Sequence, residues 1–114
     1  MPGRLALLVV GLVAGIVAAA GAASAADPRP EIPVTIDRDQ FQPSEIKVKA
    51  NTPFTLVVTN KNAKAAEFEC KDLRIEKVVP AGKTVNVLIR ALKPGTYAFF
   101  VDFNKAATGR IVAE

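Results

Sequence analysis

The sequence contains no histidine and no tryptophan, one cysteine at Cys70, and one methionine, the initiator. Without histidine the chain lacks the side chain that most often serves as a base or an imidazole ligand near neutral pH. With one thiol and no internal thioether, almost no soft metal ligands remain. A lone cysteine also excludes an intramolecular disulfide, so the stability of a chain this small has to come from core packing. No serine or cysteine has a recognisable partner base and no glycine-rich phosphate loop is present, so the chain is not expected to be an enzyme. The cations at Lys47, Lys49, Lys61, Lys64, Lys71 and Lys77 are scattered rather than clustered with aromatics, and nucleic acid is not an expected partner.

What is present divides the 114 residues into two unequal parts. Residues 1–26 begin with one cation at Arg4, continue through the apolar run from Leu5 to Val17, and end in small residues around Ala23-Ser24-Ala25-Ala26. That order predicts a cleavable secretory signal, cut after Ala25 or Ala26, and a periplasmic or secreted product. An uncleaved anchor is the alternative, because the apolar stretch approaches the roughly 20 residues that span a bilayer. The weakly hydrophobic Ala-rich end suits a peptidase better than a membrane exit, and no cysteine lies near the cut to carry a lipid. Removing Arg4 takes the cations from 15 to 14 against 11 acids, so the net charge falls from +4 to +3 and selects no class of partner.

Residues 27–114 read as one domain with a dominant period of two. Ile32, Val34 and Ile36 alternate with polar residues or proline; so do Ile46 and Val48, then Phe54, Leu56 and Val58, then Val85, Val87 and Ile89, and then Tyr97, Phe99 and Val101. Breakers at Pro43-Ser44, Ala50-Asn51-Thr52-Pro53, Asn60-Lys61-Asn62, Pro80-Ala81-Gly82-Lys83 and Lys93-Pro94-Gly95 separate these runs, and Gly109 to Ala113 closes the chain around Ile111. Short half-buried strands at this spacing predict an all-β sandwich or small barrel. Only Lys71 to Val78 departs from the pattern, and a helical turn or irregular connection is expected there. Cys70 follows Glu69 and so takes the opposite strand face. It is expected to be buried as a small hydrophobe, the alternative being an exposed thiol open to an intermolecular bridge.

The order of these features carries a resemblance. An aromatic-Gln-Pro turn at Phe41-Gln42-Pro43, Asn-Thr-Pro before a strand that ends in Thr59-Asn60, a late Pro94-Gly95-Thr96-Tyr97 and a final Gly-x-Ile strand resemble the cupredoxins across Ile32 to Glu114. The resemblance implies a Greek-key β-sandwich. In members that hold blue copper, one histidine follows the third strand, and a cysteine, a second histidine and usually a methionine come from the loop after a Tyr-x-Phe-x strand. Here those positions fall at Glu67, Val101, Asn104 and Ala107. With Val101 in place of the thiolate and Asn104 in place of the second imidazole, no type 1 copper is expected.

Within that superfamily, Ala66-Glu67-Phe68-Glu69-Cys70 together with Phe99-Phe100-Val101-Asp102-Phe103 is similar to the cupredoxin-like domain of Efe-type iron-uptake proteins and their small exported relatives, which often carry histidine where Asn104 stands. This implies a metal-handling protein, with iron or copper as the metal and a membrane iron permease or another periplasmic protein as the partner, working as a monomer. The candidate metal ligands here are Glu67, Glu69, Asp102 and Asn104. Alternation places Glu67 and Glu69 on one strand face, and oxygen ligands of this kind suit iron, manganese or calcium better than cuprous copper. Two alternatives stand beside this: the carboxylates are solvated and paired, Glu67 with Lys64 and Asp102 with Lys105, or the domain is a metal-free interaction module whose contact patch joins Glu67–Cys70 to Phe100–Phe103.

Overall fold

Alternation of apolar and polar residues commits a chain to strands with one buried face, and two such sheets bury those faces only against each other. The computed structural model describes residues 29–102 and 104–114. The expected signal segment, residues 1–26, lies outside the described residues. Nine strands are described: β1 (Glu31–Asp37), β2 (Gln40–Gln42), β3 (Glu45–Val48), β4 (Phe54–Asn60), β5 (Ala66–Cys70), β6 (Ile75–Val79), β7 (Thr84–Ile89), β8 (Gly95–Val101) and β9 (Asn104–Ala113). They form a four-stranded sheet in the order β2-β1-β4-β7 and a five-stranded sheet in the order β3-β9-β8-β5-β6. β1 pairs with β4 and β3 with β9 in parallel, while the other pairings are antiparallel. This is the all-β Greek-key sandwich, in which the chain repeatedly leaves one sheet for the other.

The inward positions are those that the period of two selects. Val34, Ile36, Ile46, Phe54, Leu56, Val58, Val87, Ile89, Phe99 and Ile111 are buried in one continuous core. At its centre Phe41 meets Phe99 edge to face, with centroids 4.7 Å apart and planes at 88°, and Phe68 lies 5.4 Å from Phe99. Edge-to-face rings of this kind add roughly 0.5–1.5 kcal/mol beyond the area they bury. Cys70, at 1% exposure, belongs to this core as well. Burial pushes its thiol above the ordinary cysteine value, with the Leu73 and Asp72 backbone N–H groups opposing, so it stays a neutral packing group.

The segment from Lys71 to Val78 is partly as expected and partly not. Lys71–Leu73 is a single 3-10 turn, but Ile75–Val79 is a strand at the edge of the five-stranded sheet. Its alternation is masked because Lys77 takes a position opposite buried Phe68 yet stays exposed, and Val78 on the outer face is 57% exposed. An edge strand has a neighbour on one side only, so its side chains are under weaker pressure to alternate. The turn that follows closes with Lys83 N–H donating to the Pro80 carbonyl at 3.0 Å, and Gly82 at its third position takes φ +70°, where glycine meets no Cβ penalty.

β9 passes under the aromatic centre at Gly109. A Cβ there would stand 2.5 Å from the Phe99 ring and 2.8 Å from the Ser44 carbonyl oxygen. Neither neighbour has room to retreat, since Phe99 is held by Phe41 and Phe68 and Ser44 O accepts the Arg110 N–H. Gly109→Ala is therefore expected to cost about 1–3 kcal/mol through overpacking. Urea denaturation checks this: the midpoint falls, and an unchanged midpoint contradicts the packing described.

Candidate metal centre

β5 lies between β6 and β8, and the register of these three strands decides which side chains share the outer face. Glu69 stands opposite Phe100 on β8 and opposite Glu76 on β6, and Glu67 stands opposite Val78. One step beyond the paired residues, the Asp102 N–H donates to the Glu67 carbonyl at 2.9 Å. That bond sets Asp102 directly across from Glu67, so that their side chains leave the sheet on the same face. Glu67, Glu69 and Asp102 are all half-buried.

The electrostatic consequence falls on Glu67. Its carboxyl is held above the ordinary glutamate value, first by the side-chain hydrogen bond to Asp102, then by desolvation, and then by repulsion from Asp102, Glu76 and Glu69. A neutral carboxyl can donate to its neighbour where two carboxylates only repel. No ion pair joins Glu67 to Lys64 among the described residues; the pair found there is Arg110–Glu45 at 2.6 Å. Lys71 instead lies over the Phe100 ring, 5.8 Å from its centroid.

Of the four candidate ligands, the structure therefore brings Glu67 and Asp102 together and places Glu69 farther along the same face. Asn104 turns back on its own chain, its Oδ1 accepting the Ala106 N–H at 3.3 Å while its N–H donates to the Asp102 carbonyl at 2.8 Å. Among the described residues no three Cys, Asp or Glu side chains are grouped to hold a metal ion unaided. The positions that would supply copper ligands do not fit copper either. Val101 is 8% exposed and Ala107 fully buried in the apolar core, so two of the four offer only hydrocarbon, and a type 1 centre has neither its thiolate nor its imidazoles.

An open cleft of about 670 Å³ lies at this end of the sandwich. It is lined by Val101, Asp102 and Asn104 from the β8–β9 end, by residues 62–66, and by Ile36 and Asp39. Asp102 thus belongs both to the carboxyl pair and to the cleft. Asp39 carries no signal in the sequence, and Asn60 and Asn62 stand there only as breakers at the end of β4. Asn60 is fully buried, and its position at the end of an apolar strand was the one available signal, since a buried amide has to find partners.

Two sheets joined in Greek-key order, with a cleft at the end where β4 and β8 deliver their loops, define the cupredoxin class of sandwich. A profile of the cupredoxin-like domain matches residues 7–113, and the chain belongs to that family. It is also 35% identical over 83 residues to the uncharacterized protein RP394 of Rickettsia prowazekii (strain Madrid E), a match covering 72% of this chain and 66% of that protein. The chain thus spans just under two thirds of that relative's length.

Among solved structures, the chain is similar to the Cu(I)-bound metal-binding domain of the Cu(I)-exporting P-type ATPase CopA of Streptococcus pneumoniae. The TM-score is 0.70 at 11% identity, covering 79% of this chain and 91% of that one. Amicyanin of Paracoccus versutus gives a TM-score of 0.61 at 16% identity, covering 82% and 88%. The purple cupredoxin of Nitrosopumilus maritimus gives 0.56 at 11%, covering 73% and 99%. At these identities the likeness is one of fold.

The raised Glu67 value has a definite sign. A carboxyl whose value is higher in the folded chain than in the unfolded one stabilises the fold fully below its unfolded value, and that contribution is lost as pH rises through the folded value. Glu67→Gln, which keeps a hydrogen-bond donor and removes the titration, is expected to melt close to wild type in acid and above it at neutral pH. Thermal melts across that range check this, and a gap between the two proteins that does not grow with pH contradicts it.

Proposed function

We propose that the chain is an exported, non-enzymatic cation-handling protein, which binds a metal ion through carboxylate oxygens at the rim of the cleft and serves a metal-uptake system. The observation that carries the reading is the meeting of Glu67 and Asp102 across β5 and β8, held by the 2.9 Å bond from Asp102 N–H to the Glu67 carbonyl. Two carboxyls forced together are relieved by a proton or by a cation, and a cation draws affinity from the repulsion that it removes. Glu69 adds negative charge on the same face, and Asn104 brings a neutral amide to the adjoining cleft.

Oxygen donors without sulfur or imidazole suit iron or manganese. Copper is supported by the Cu(I)-bound metal-binding domain that shares this fold and would be taken here as the cupric ion, since the buried Cys70 offers no thiolate to the cuprous one. A small exported carrier of this kind acts as a monomer in the periplasm and passes its ion to a membrane permease or another periplasmic protein. The similarity of the Glu67–Cys70 and Phe99–Phe103 segments to the Efe-type domain supports iron uptake as that system.

A second reading has an observation of its own. Val78, 57% exposed, and the half-buried Phe100 lie on the same outer face as Glu67, Glu69 and Glu76, forming a mixed apolar and acidic surface suited to a protein contact without metal. Calorimetric titration of the purified protein with ferric, ferrous, cupric and manganous ions separates the two. The cation reading expects saturable binding of at least one of them, weakened tenfold or more by Glu67→Gln. No heat and no thermal shift with any of the four would leave the interaction module.

A further inference from the structure

The cleft that Asp102 lines is also lined by Asp39, which sits in a turn that its own sequence does not favour. Between β1 and β2, Arg38 and Asp39 take φ of 52° and 60°, two consecutive left-handed residues in a two-residue hairpin loop. That geometry normally asks for Asn-Gly or Asp-Gly, because a Cβ resists positive φ. Neither residue here is a glycine, so the conformation has to be held from outside the hairpin.

Asn62 supplies that hold. Its Oδ1 accepts the Arg38 N–H at 2.9 Å, and its Nδ2 donates to Asp39 Oδ1 at 3.2 Å. One side chain thus fastens both strained residues to the loop between β4 and β5. The loop is anchored in turn. The Asn62 N–H donates to Asn60 Oδ1 at 2.9 Å, and Asn60 Nδ2 donates to the Lys64 carbonyl at 2.8 Å and to the Val79 carbonyl at 2.9 Å. Asn60 is fully buried and uses both ends of its amide. The Lys61 N–H adds a bond to the Ile36 carbonyl at 2.8 Å. A continuous relay therefore runs from the end of β6 through Asn60 and the loop to Asn62 and the β1–β2 turn. Asp39, Asn62 and Lys64 along this relay all line the cleft.

We infer that Asn62 is a positioning residue for the cleft, clamping the strained Arg38-Asp39 turn against the loop after β4 so that the Asp39 wall and the loop wall move as one body, with Asn60 as the buried anchor. Its effect on ligand affinity rests on the cation reading above; its effect on the walls does not. Removing the clamp frees the turn to leave the left-handed region and carries Asp39 away from the cleft that Asp102 also lines.

The test combines Asn62→Ala with Arg38→Gly, which lets the turn hold positive φ without help. Asn62 is only half-buried and contributes no apolar packing, so its truncation leaves the core in place. Amide hydrogen exchange on the metal-free protein is expected to accelerate at least tenfold at both Arg38 and Lys61 in Asn62→Ala, with Val58 in the core unchanged. Adding Arg38→Gly is expected to slow Lys61 again. Acceleration confined to Arg38, or no recovery in the double variant, overturns the inference and leaves Asn62 as a local hydrogen-bond partner. In parallel, the manganous ion is expected to bind Asn62→Ala three- to tenfold more weakly than wild type, with recovery in the double variant. If wild type binds no manganous ion, the cation reading loses that metal while the exchange measurements still decide the clamp.

Discussion

The arrangement at the working end of this sandwich depends on one backbone pairing. β5 and β8 run side by side, and where their ladder ends the Asp102 N–H still reaches the Glu67 carbonyl. Because directly opposed residues in a sheet send their side chains to the same face, this bond fixes two carboxyls next to each other. Glu69 and Glu76 follow from the same register one pair farther along. The accumulation of negative charge is thus a property of strand alignment. It is sustained by a core in which Phe41, Phe68 and Phe99 lock β2, β5 and β8 together.

The same end of the fold shows what has been given up. In a copper-holding cupredoxin the loop after the aromatic strand delivers sulfur and imidazole. Here the corresponding positions place Val101 at the end of β8 and Ala107 in β9 in the hydrophobic core, and turn Asn104 back onto the Ala106 N–H. The scaffold keeps its cleft, but polar oxygen and amide groups line it from three separate turns. Two asparagines hold two of those turns in place, one wholly buried and one bridging to residues 23 and 24 positions away. Side-chain amides suit this task because each carries a donor and an acceptor, and so can satisfy two backbone groups that face different ways.

Much of the fold was legible because burial writes a period of two into a strand. Ile32, Val34 and Ile36, or Phe54, Leu56 and Val58, state their face without help from the rest of the chain. β6 was not legible, because an edge strand that places Lys77 opposite Phe68 loses the alternation that marks its neighbours. β2 was hidden for a different reason: its three residues are too few to display a period. The shared face of Glu67 and Glu69 followed from alternation, and the neighbouring Asp102 from the resemblance of two separated segments. The clamp was invisible: Asn62 lies in a loop with no periodic signal, the position of Asn60 at the end of β4 does not name its partners, and Arg38, Asp39 and Val79 become neighbours of these asparagines only once the sheets have closed.

The measurement closest to the central claim is a site-resolved NMR titration of the Glu67 side-chain carboxyl carbon in the metal-free protein and in its Asp102→Asn variant. The account predicts that Glu67 titrates above the ordinary glutamate range and that Asp102→Asn lowers its value. If Glu67 titrates as a solvated glutamate does and Asp102→Asn leaves its value unchanged, the two carboxyls do not meet, and the reading of this face as a cation site is contradicted.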